Sequence, residues 1–268
     1  MDETSVLDVE FEDIKIYELA WMKFEIEDQS MLNAVDGATM TILNDRLLII
    51  GGSERPKNIY TQIYNIEEKT FMRQKPHGMI PNSRAYHSAV LYKKSIVIFG
   101  GELRLAQELH MKYCLNDTYI MDSDTCEWNQ VQTSGPYITD RKGHAACLLG
   151  KFMVIHGGIT SEGAILNEIF ALNLNTFKWS EVFLDTTKFH NANHTMCAVY
   201  KDFDAQDLYG HISRGNKMVL HHHTEDQLLF EGLYIFGGKN REGKAVNDLY
   251  IYNTNNRPWI QIKPQLRG

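Results

Sequence analysis

Leu233-Tyr234-Ile235-Phe236-Gly237-Gly238, followed by Asn247-Asp248-Leu249-Tyr250-Ile251-Tyr252-Asn253 and then by Trp259, decides the fold, because the same pattern occurs three more times upstream. An apolar run ending in a glycine pair stands at Leu47 to Gly52, Ile96 to Gly101 and Phe152 to Gly158, with His156 inserted before the last pair. Each run leads into an aromatic-rich segment and then a large aromatic residue. The register is fixed: Tyr119 precedes Trp128, Phe170 precedes Trp179 and Tyr250 precedes Trp259 by nine residues in each case. In the first unit Phe71 holds the tryptophan position and Gln62 the tyrosine position. Such self-similarity is the signature of a repeat architecture. The apolar runs are short and rich in β-branched residues, as expected of strands buried on both faces. Glycine after the run permits a positive φ and a close approach of backbones. Trp128, Trp179 and Trp259 offer large apolar area for packing between adjacent sheets.

These residues resemble the kelch motif, in which four antiparallel strands form one blade of a β-propeller. The resemblance covers Gly37 to about Pro264. It implies an all-β fold, a kelch-type β-propeller with blades at about 37–75, 84–132, 141–183 and 193–264. Upstream, Asp13-Ile14-Lys15-Ile16-Tyr17-Glu18-Leu19 mirrors Asp248 to Thr254, and Trp21-Met22-Lys23-Phe24 mirrors Trp259 to Ile262. Residues 1–30 are therefore expected to form the outer half of a preceding blade, with the blades proper in 31–268. Four full blades and a half-blade would leave flat apolar faces and unprotected edges in water. The expectation is part of a larger ring of about six blades, finished by a longer chain or by another protein.

Composition narrows the function classes. The chain has 268 residues, 43% hydrophobic and 23% charged, and carries a formal charge of −7. That balance is ordinary for a globular protein and argues against nucleic acid as a partner, since phosphate binding needs concentrated Lys and Arg. Met1-Asp2-Glu3-Thr4 is acidic, and no apolar stretch approaches ~20 residues, so neither secretion nor a membrane partner is expected. Cys114, Cys126, Cys147 and Cys197 form no C-x-x-C pair. Cys147 and Cys197 each lie three residues after a repeat histidine and read as small core residues, so a reducing, cytoplasmic setting is expected.

Arg84-x-x-His87 and Arg141-x-x-His144 recur where the chain enters an innermost strand, and Asn191 and His194 take the same places in the last unit. Recurrence argues for a structural task, with each histidine hydrogen-bonding the backbone of a neighbouring blade. The kelch resemblance implies that loops entering the first strand, and loops between the second and third, crowd one face. In some members, arginines there bind acidic peptide segments. The candidate partner-binding residues are accordingly Arg55, Arg84, Arg104, Arg141 and Arg241. The long insertion from Lys201 to Gly232 joins the first and second strands of its blade, so it is expected on the opposite face.

His221-His222-His223, with His211, Glu225 and Asp226, is a dense set of metal-ligand side chains. Adjacent histidines do not readily converge on one ion, and the tract lies in an insertion, so it reads as a solvated loop. Galactose oxidase and the nitrile-specifier proteins are kelch-fold enzymes. Asp207 and His211 have the final spacing of the nitrile-specifier metal motif, but Phe203 stands where its Glu belongs. No G-x-S-x-G or G-x-G-x-x-G occurs. The expected function is a non-catalytic protein–protein interaction module of a larger intracellular assembly, with no metal and no cofactor. Two rivals stand beside it: the substrate-recognition part of a ubiquitin ligase, which would bring an adaptor-binding domain, and a metal-dependent enzyme, which needs convergent titratable groups at the channel mouth.

Overall fold

The computed structural model describes residues 35–52, 61–103, 113–182, 190–199, 232–252 and 260–262. The expected N-terminal half-blade, nearly all of the Lys201 to Gly232 insertion, its histidine tract and Trp259 lie outside them. The first sheet is a meander of β1 (Thr39–Leu43), β2 (Arg46–Ile50), β3 (Thr61–Asn65) and β4 (Thr70–Gln74). The second adds two short strands, β5 (His77–Gly78) and β6 (Arg84–Ala85), to β7 (Ser88–Tyr92), β8 (Ser95–Leu103), β9 (Tyr113–Asp122) and β10 (Glu127–Val131). The third contains β11 (Ala145–Leu149), β12 (Phe152–His156), β13 (Ile169–Asn173) and β14 (Lys178–Glu181). The fourth contains β15 (Thr195–Val199), β16 (Gly232–Phe236), β17 (Leu249–Tyr252) and β18 (Ile260–Ile262). These are the four propeller blades that the repeat implies.

The inner hairpins of the first three blades turn on two residues, the first of them left-handed: Asn44 (φ 53°), Lys93 (φ 57°) and Gly150 (φ 56°). This backbone matches the twist of the flanking strands. Between blades, the linker runs along the outer edge of the blade it is about to enter. His77 and Gly78 pair in parallel with Glu127 and Trp128, and Ser134 pairs in parallel with Lys178. An edge that would otherwise offer unpaired amides is thereby covered.

Apolar packing joins the blades in series. Leu48, Ile50 and Ile63 of the first blade meet Ile96, Ile98, Met121 and Trp128 of the second. Val90, Val97 and Phe99 of the second meet Met153, Ile155, Phe170 and Trp179 of the third. Cys147, Phe152 and Val154 of the third meet Met196, Leu233, Ile235 and Tyr250 of the fourth. Trp128 and Trp179 are thus buried between sheets, as their spacing implied. No such cluster among the described residues joins the fourth blade to the first. Met40 and Ile42 on β1 are 66% and 60% exposed, and Phe236 on β16 is 49% exposed. One expectation fails on the same flank: Cys147 is buried, but Cys197 is exposed. Side chains alternate along a strand, so with Met196 turned toward the third blade, Cys197 faces away from it.

Candidate functional site

The segment that leads into each inner strand builds one end of the blades. Arg84 lies four residues before β7 and Arg141 four before β11, and both side chains are fully buried. Arg84 donates from Nε to Asn82 O at 3.2 Å and from Nη1 to Gly100 O at 3.1 Å. Its fork then closes on Asp117, with Nη2 to Oδ2 at 3.0 Å and Nη1 to Oδ1. Arg141 repeats the pattern on Thr139 O and Gly157 O, but Glu168 stands only as near as 3.5 Å and Nη2 has no partner among the described residues. In the fourth blade Asn191 donates to Gly237 O at 3.2 Å in the same place. Each guanidinium also lies over an aromatic ring, Arg84 5.2 Å from the Tyr119 centroid and Arg141 5.5 Å from that of Phe170. This explains the degenerate first unit. Val35 stands at the arginine position there and Gln62 at the aromatic one, so the two halves of the cation–π pair are missing together.

The histidines reach back to the preceding blade, and they bind side chains there rather than the expected backbone. His87 Nε2 is 3.0 Å from Thr39 Oγ1, and His144 Nε2 is 2.7 Å from Ser88 Oγ. The third blade begins with Ala145, which has no hydroxyl; its ladder partner His156 supplies Nδ1 instead, 2.9 Å from His194 Nε2. Burial holds these imidazoles neutral. It drives His87 down to about 3, with Arg84 adding to the effect, lowers His194 to about 4, and puts His144 well below its usual value.

The glycine pair is what lets the blades approach this closely. At Gly100 (φ +63°) a Cβ would sit 2.8 Å from Arg141 O and 3.2 Å from the His144 ring. At Gly101 (φ +98°) it would sit 2.8 Å from Ala85 O and from His87 Cβ of the same blade, so the second glycine makes room for the segment entering its own inner strand. The second glycine also donates across the junction: Gly52 to Arg84 O, Gly101 to Arg141 O and Gly158 to Asn191 O, each at 2.9 Å. Two residues beyond each arginine position the chain is left-handed, at Tyr86, Gly143 and Asn193, and Gly37 is left-handed in the first blade. These residues form a backbone belt in which Tyr86 N donates to Gly37 O, Gly143 N to Tyr86 O and Asn193 N to Gly143 O, at 2.7 to 2.9 Å.

A further polar group links the second and third blades. Lys142 forms an ion pair with fully buried Glu102, while Ser161 Oγ accepts from Cys114 N at 2.9 Å and donates to Asp140 at 2.9 Å. Burial pushes the Cys114 thiol pKa up, so it stays protonated and weakly nucleophilic. Nothing in the sequence pattern singles out Glu102 and Lys142, because their residue types do not recur: Ala85 and Ala192 stand at the position of Lys142, and Ile159 and Lys239 at that of Glu102.

Of the five candidate arginines, Arg84 and Arg141 are therefore interior groups that hold loops to strands, and Arg55 and Arg104 lie outside the described residues. Arg241 is exposed, in the β16–β17 loop, beside exposed Lys239 and Lys244. Burial, with Arg241 second, lowers the pKa of nearby His190. The β12–β13 loop likewise exposes Ser161, Glu162, Gly163 and Ala164. Asp117 and Glu168, missed in the sequence, had a signal: an acid two residues before the landmark aromatic, as in Asp117-x-Tyr119 and Glu168-x-Phe170. Among the described residues no group of three or more His, Cys, Asp or Glu side chains is placed to hold a metal ion, and no helix is long and apolar enough to cross a membrane.

The KLHDC2/KLHL20/DRC7 Kelch-repeats domain matches residues 8–206 of the chain. Similar proteins include acyl-CoA-binding domain-containing protein 4 of Arabidopsis thaliana, 24% identical over 231 residues, which are 85% of this chain and 29% of that protein. Kelch domain-containing protein 3 of Homo sapiens is 28% identical over 222 residues, 71% of this chain and 56% of that one. Host cell factor 1 of Homo sapiens is 26% identical over 186 residues, 56% of this chain and 9% of that one. The chain thus spans little more than half the length of Kelch domain-containing protein 3, and less of the other two.

Proposed function

Starting from the fact that this chain belongs to the kelch-repeat family, we propose that it is a non-catalytic protein-interaction module of a larger intracellular assembly, and that it meets an acidic segment of its partner through the loop-bearing end of the blades. The observation that carries this reading is the division of labour at that end. Side chains that recur from blade to blade turn inward and are consumed in joining blades: the arginines, the histidines and the glycine pairs. Among the described residues, the loops that do not recur stand exposed, and the one between β16 and β17 carries Lys239, Arg241 and Lys244 against two acids, Glu242, paired to Lys244 at 3.0 Å, and Asp248 next to β17. A basic corner on a chain of formal charge −7 complements an acidic segment while the rest of the surface discourages unrelated anions. By sequence position Arg55 and Arg104 belong to the corresponding loops of the first two blades and extend the same proposal. The imidazoles of the face, neutral and bonded across junctions, are already committed to architecture.

The test is capture of partners from cell extract by the chain and by its Lys239→Glu/Arg241→Glu variant, read by mass spectrometry. Partners rich in acidic segments should be lost from the variant while its thermal midpoint stays unchanged. Equal recovery by both proteins would remove the basic corner from the reading.

A further inference from the structure

The two arginine forks differ in a way that side-chain length does not explain. Asp117 closes on Arg84 through both carboxylate oxygens. Glu168 stands at the same position in the third blade with a side chain one methylene longer, yet its Oε2 comes no nearer to Arg141 Nη1 than 3.5 Å. Arg141 Nη2 and Glu168 Oε2 are both enclosed without a hydrogen-bond partner among the described residues. Two opposite charges that would satisfy one another are held short of doing so, where an unanswered buried polar atom is costly. The Arg141 side chain is wholly buried and that of Glu168 is 33% exposed, so the carboxylate spans from the interior to the surface. On its surface side stand cations of the fourth blade. Gly157 N donates to Glu168 O and Gly158 N to Asn191 O, so one glycine pair holds Glu168 beside the segment that carries His190. Two residues beyond His190, Ala192 exchanges hydrogen bonds with Lys239 at 3.1 and 2.8 Å, which brings Arg241 to the same place. Burial foremost lowers the pKa of His190, while Arg241 lowers it further and Glu168 pulls it back up, so both charges stand near that imidazole.

We infer that Glu168 is the residue that sets how strongly the basic corner takes an acidic segment, because it is the chain's own carboxylate, shared between Arg141 inside and His190 with Arg241 outside. The inference rests on the reading of that corner as the seat of an acidic partner. An acid of the partner that settles on Arg241 releases Glu168 inward, where it completes on Arg141 the fork that Asp117 already completes on Arg84. The fork of the third blade stands open in the unbound chain, so the outward attraction outweighs closure and Glu168 is a net competitor of the partner. A segment with one acid only exchanges for it. A segment with several acids also meets Lys239 and Lys244, and so gains what Glu168 alone does not supply. Glu168 therefore selects for multiply acidic segments by rejecting weaker ones, a repulsive element built beside an attractive one.

The probe is fluorescein-labelled hexaglutamate, titrated against the full chain by fluorescence anisotropy at low ionic strength. Glu168→Gln and Glu168→Asp should each tighten binding by about 2- to 5-fold, the range for one partly exposed charge contact. Glu168→Asp keeps an acid for Arg141, as Asp117 serves Arg84, so it carries the test even where the amide does not fold. Glu67→Gln, the same loss of charge in the exposed β3–β4 turn, should leave binding unchanged. In an Arg241→Gln chain the gain from Glu168→Gln should vanish, since the contested cation is gone. With no peptide present, His190 followed by NMR should titrate lower in Glu168→Gln than in the unaltered chain. Failure of hexaglutamate to bind any of these proteins removes the basic corner and this inference with it. Binding that is indifferent to both Glu168 changes, or that Glu67→Gln tightens equally, overturns the role of Glu168 and leaves the corner standing. So does a His190 titration that Glu168→Gln does not move.

Discussion

Ser88 Oγ and His144 Nε2 stand 2.7 Å apart across the boundary between the second and third blades, in a site closed to water on both sides. Ser88→Ala would leave a buried imidazole nitrogen without a partner, and His144 Nδ1 already has none among the described residues. The expected cost is about 1–3 kcal/mol in denaturant unfolding. A loss below about 0.5 kcal/mol would show that water replaces the hydroxyl there.

Acid should weaken the fold through the same histidines. His87 titrates near 3 when folded and near 6.5 when unfolded, and His194 near 4, so between those values the unfolded chain binds more protons. Stability contributed by neutral burial is complete above the unfolded value and is lost as pH falls from about 6.5 toward the folded values. At pH 5 each such histidine should cost on the order of 1–2 kcal/mol relative to pH 7.5. Comparing midpoints at the two pH values for the chain and for His87→Gln checks this, because the variant should show a shallower dependence.

The arginine forks should rank by geometry. Asp117→Asn removes a carboxylate that closes on Arg84 through two bonds, leaving a buried guanidinium uncompensated, at a cost of about 3 kcal/mol or more. Glu168→Gln, whose carboxylate approaches Arg141 only to 3.5 Å, should cost less. Equal unfolding free energies for the two variants would refute that ranking.

Trp179 is 2% exposed and meets Phe99 edge to face, with centroids 5.0 Å apart. Trp179→Ala should cost about 3–5 kcal/mol, the range for deleting a large buried aromatic. Unfolding shifted by under ~1 kcal/mol would mean that the gap closes by collapse of the neighbouring blade.

Blade number, strand order and the burial of Trp128 and Trp179 were legible because they repeat in register, and a repeated residue announces a repeated environment. The direction of Arg84 and Arg141 was not legible. A loop arginine reads as surface until its partner, two residues before a distant aromatic, is brought alongside by the ladder of β8 with β9 or of β12 with β13. The exchange of Ser88 for His156 as the imidazole's partner was hidden for the same reason. The two residues occupy different strands, and only the pairing of Ala145 with His156 makes them equivalent. Cys197 was misread because its strand has the inner-strand pattern while its flank, unlike that of Cys147, carries no further blade among the described residues.

The belt from Gly37 through Tyr86 and Gly143 to Asn193 has a consequence for ancestry. Each of the two middle members donates to the unit before it and accepts from the unit after it, so plug and receptacle are written in one short stretch of chain. A gene segment encoding such a unit can be duplicated in tandem and the copy will find both neighbours already fitted to it, with no new interface to evolve. What then diverges freely is the hairpin loop at the rim, where a change of sequence alters what the protein meets and leaves the joinery intact.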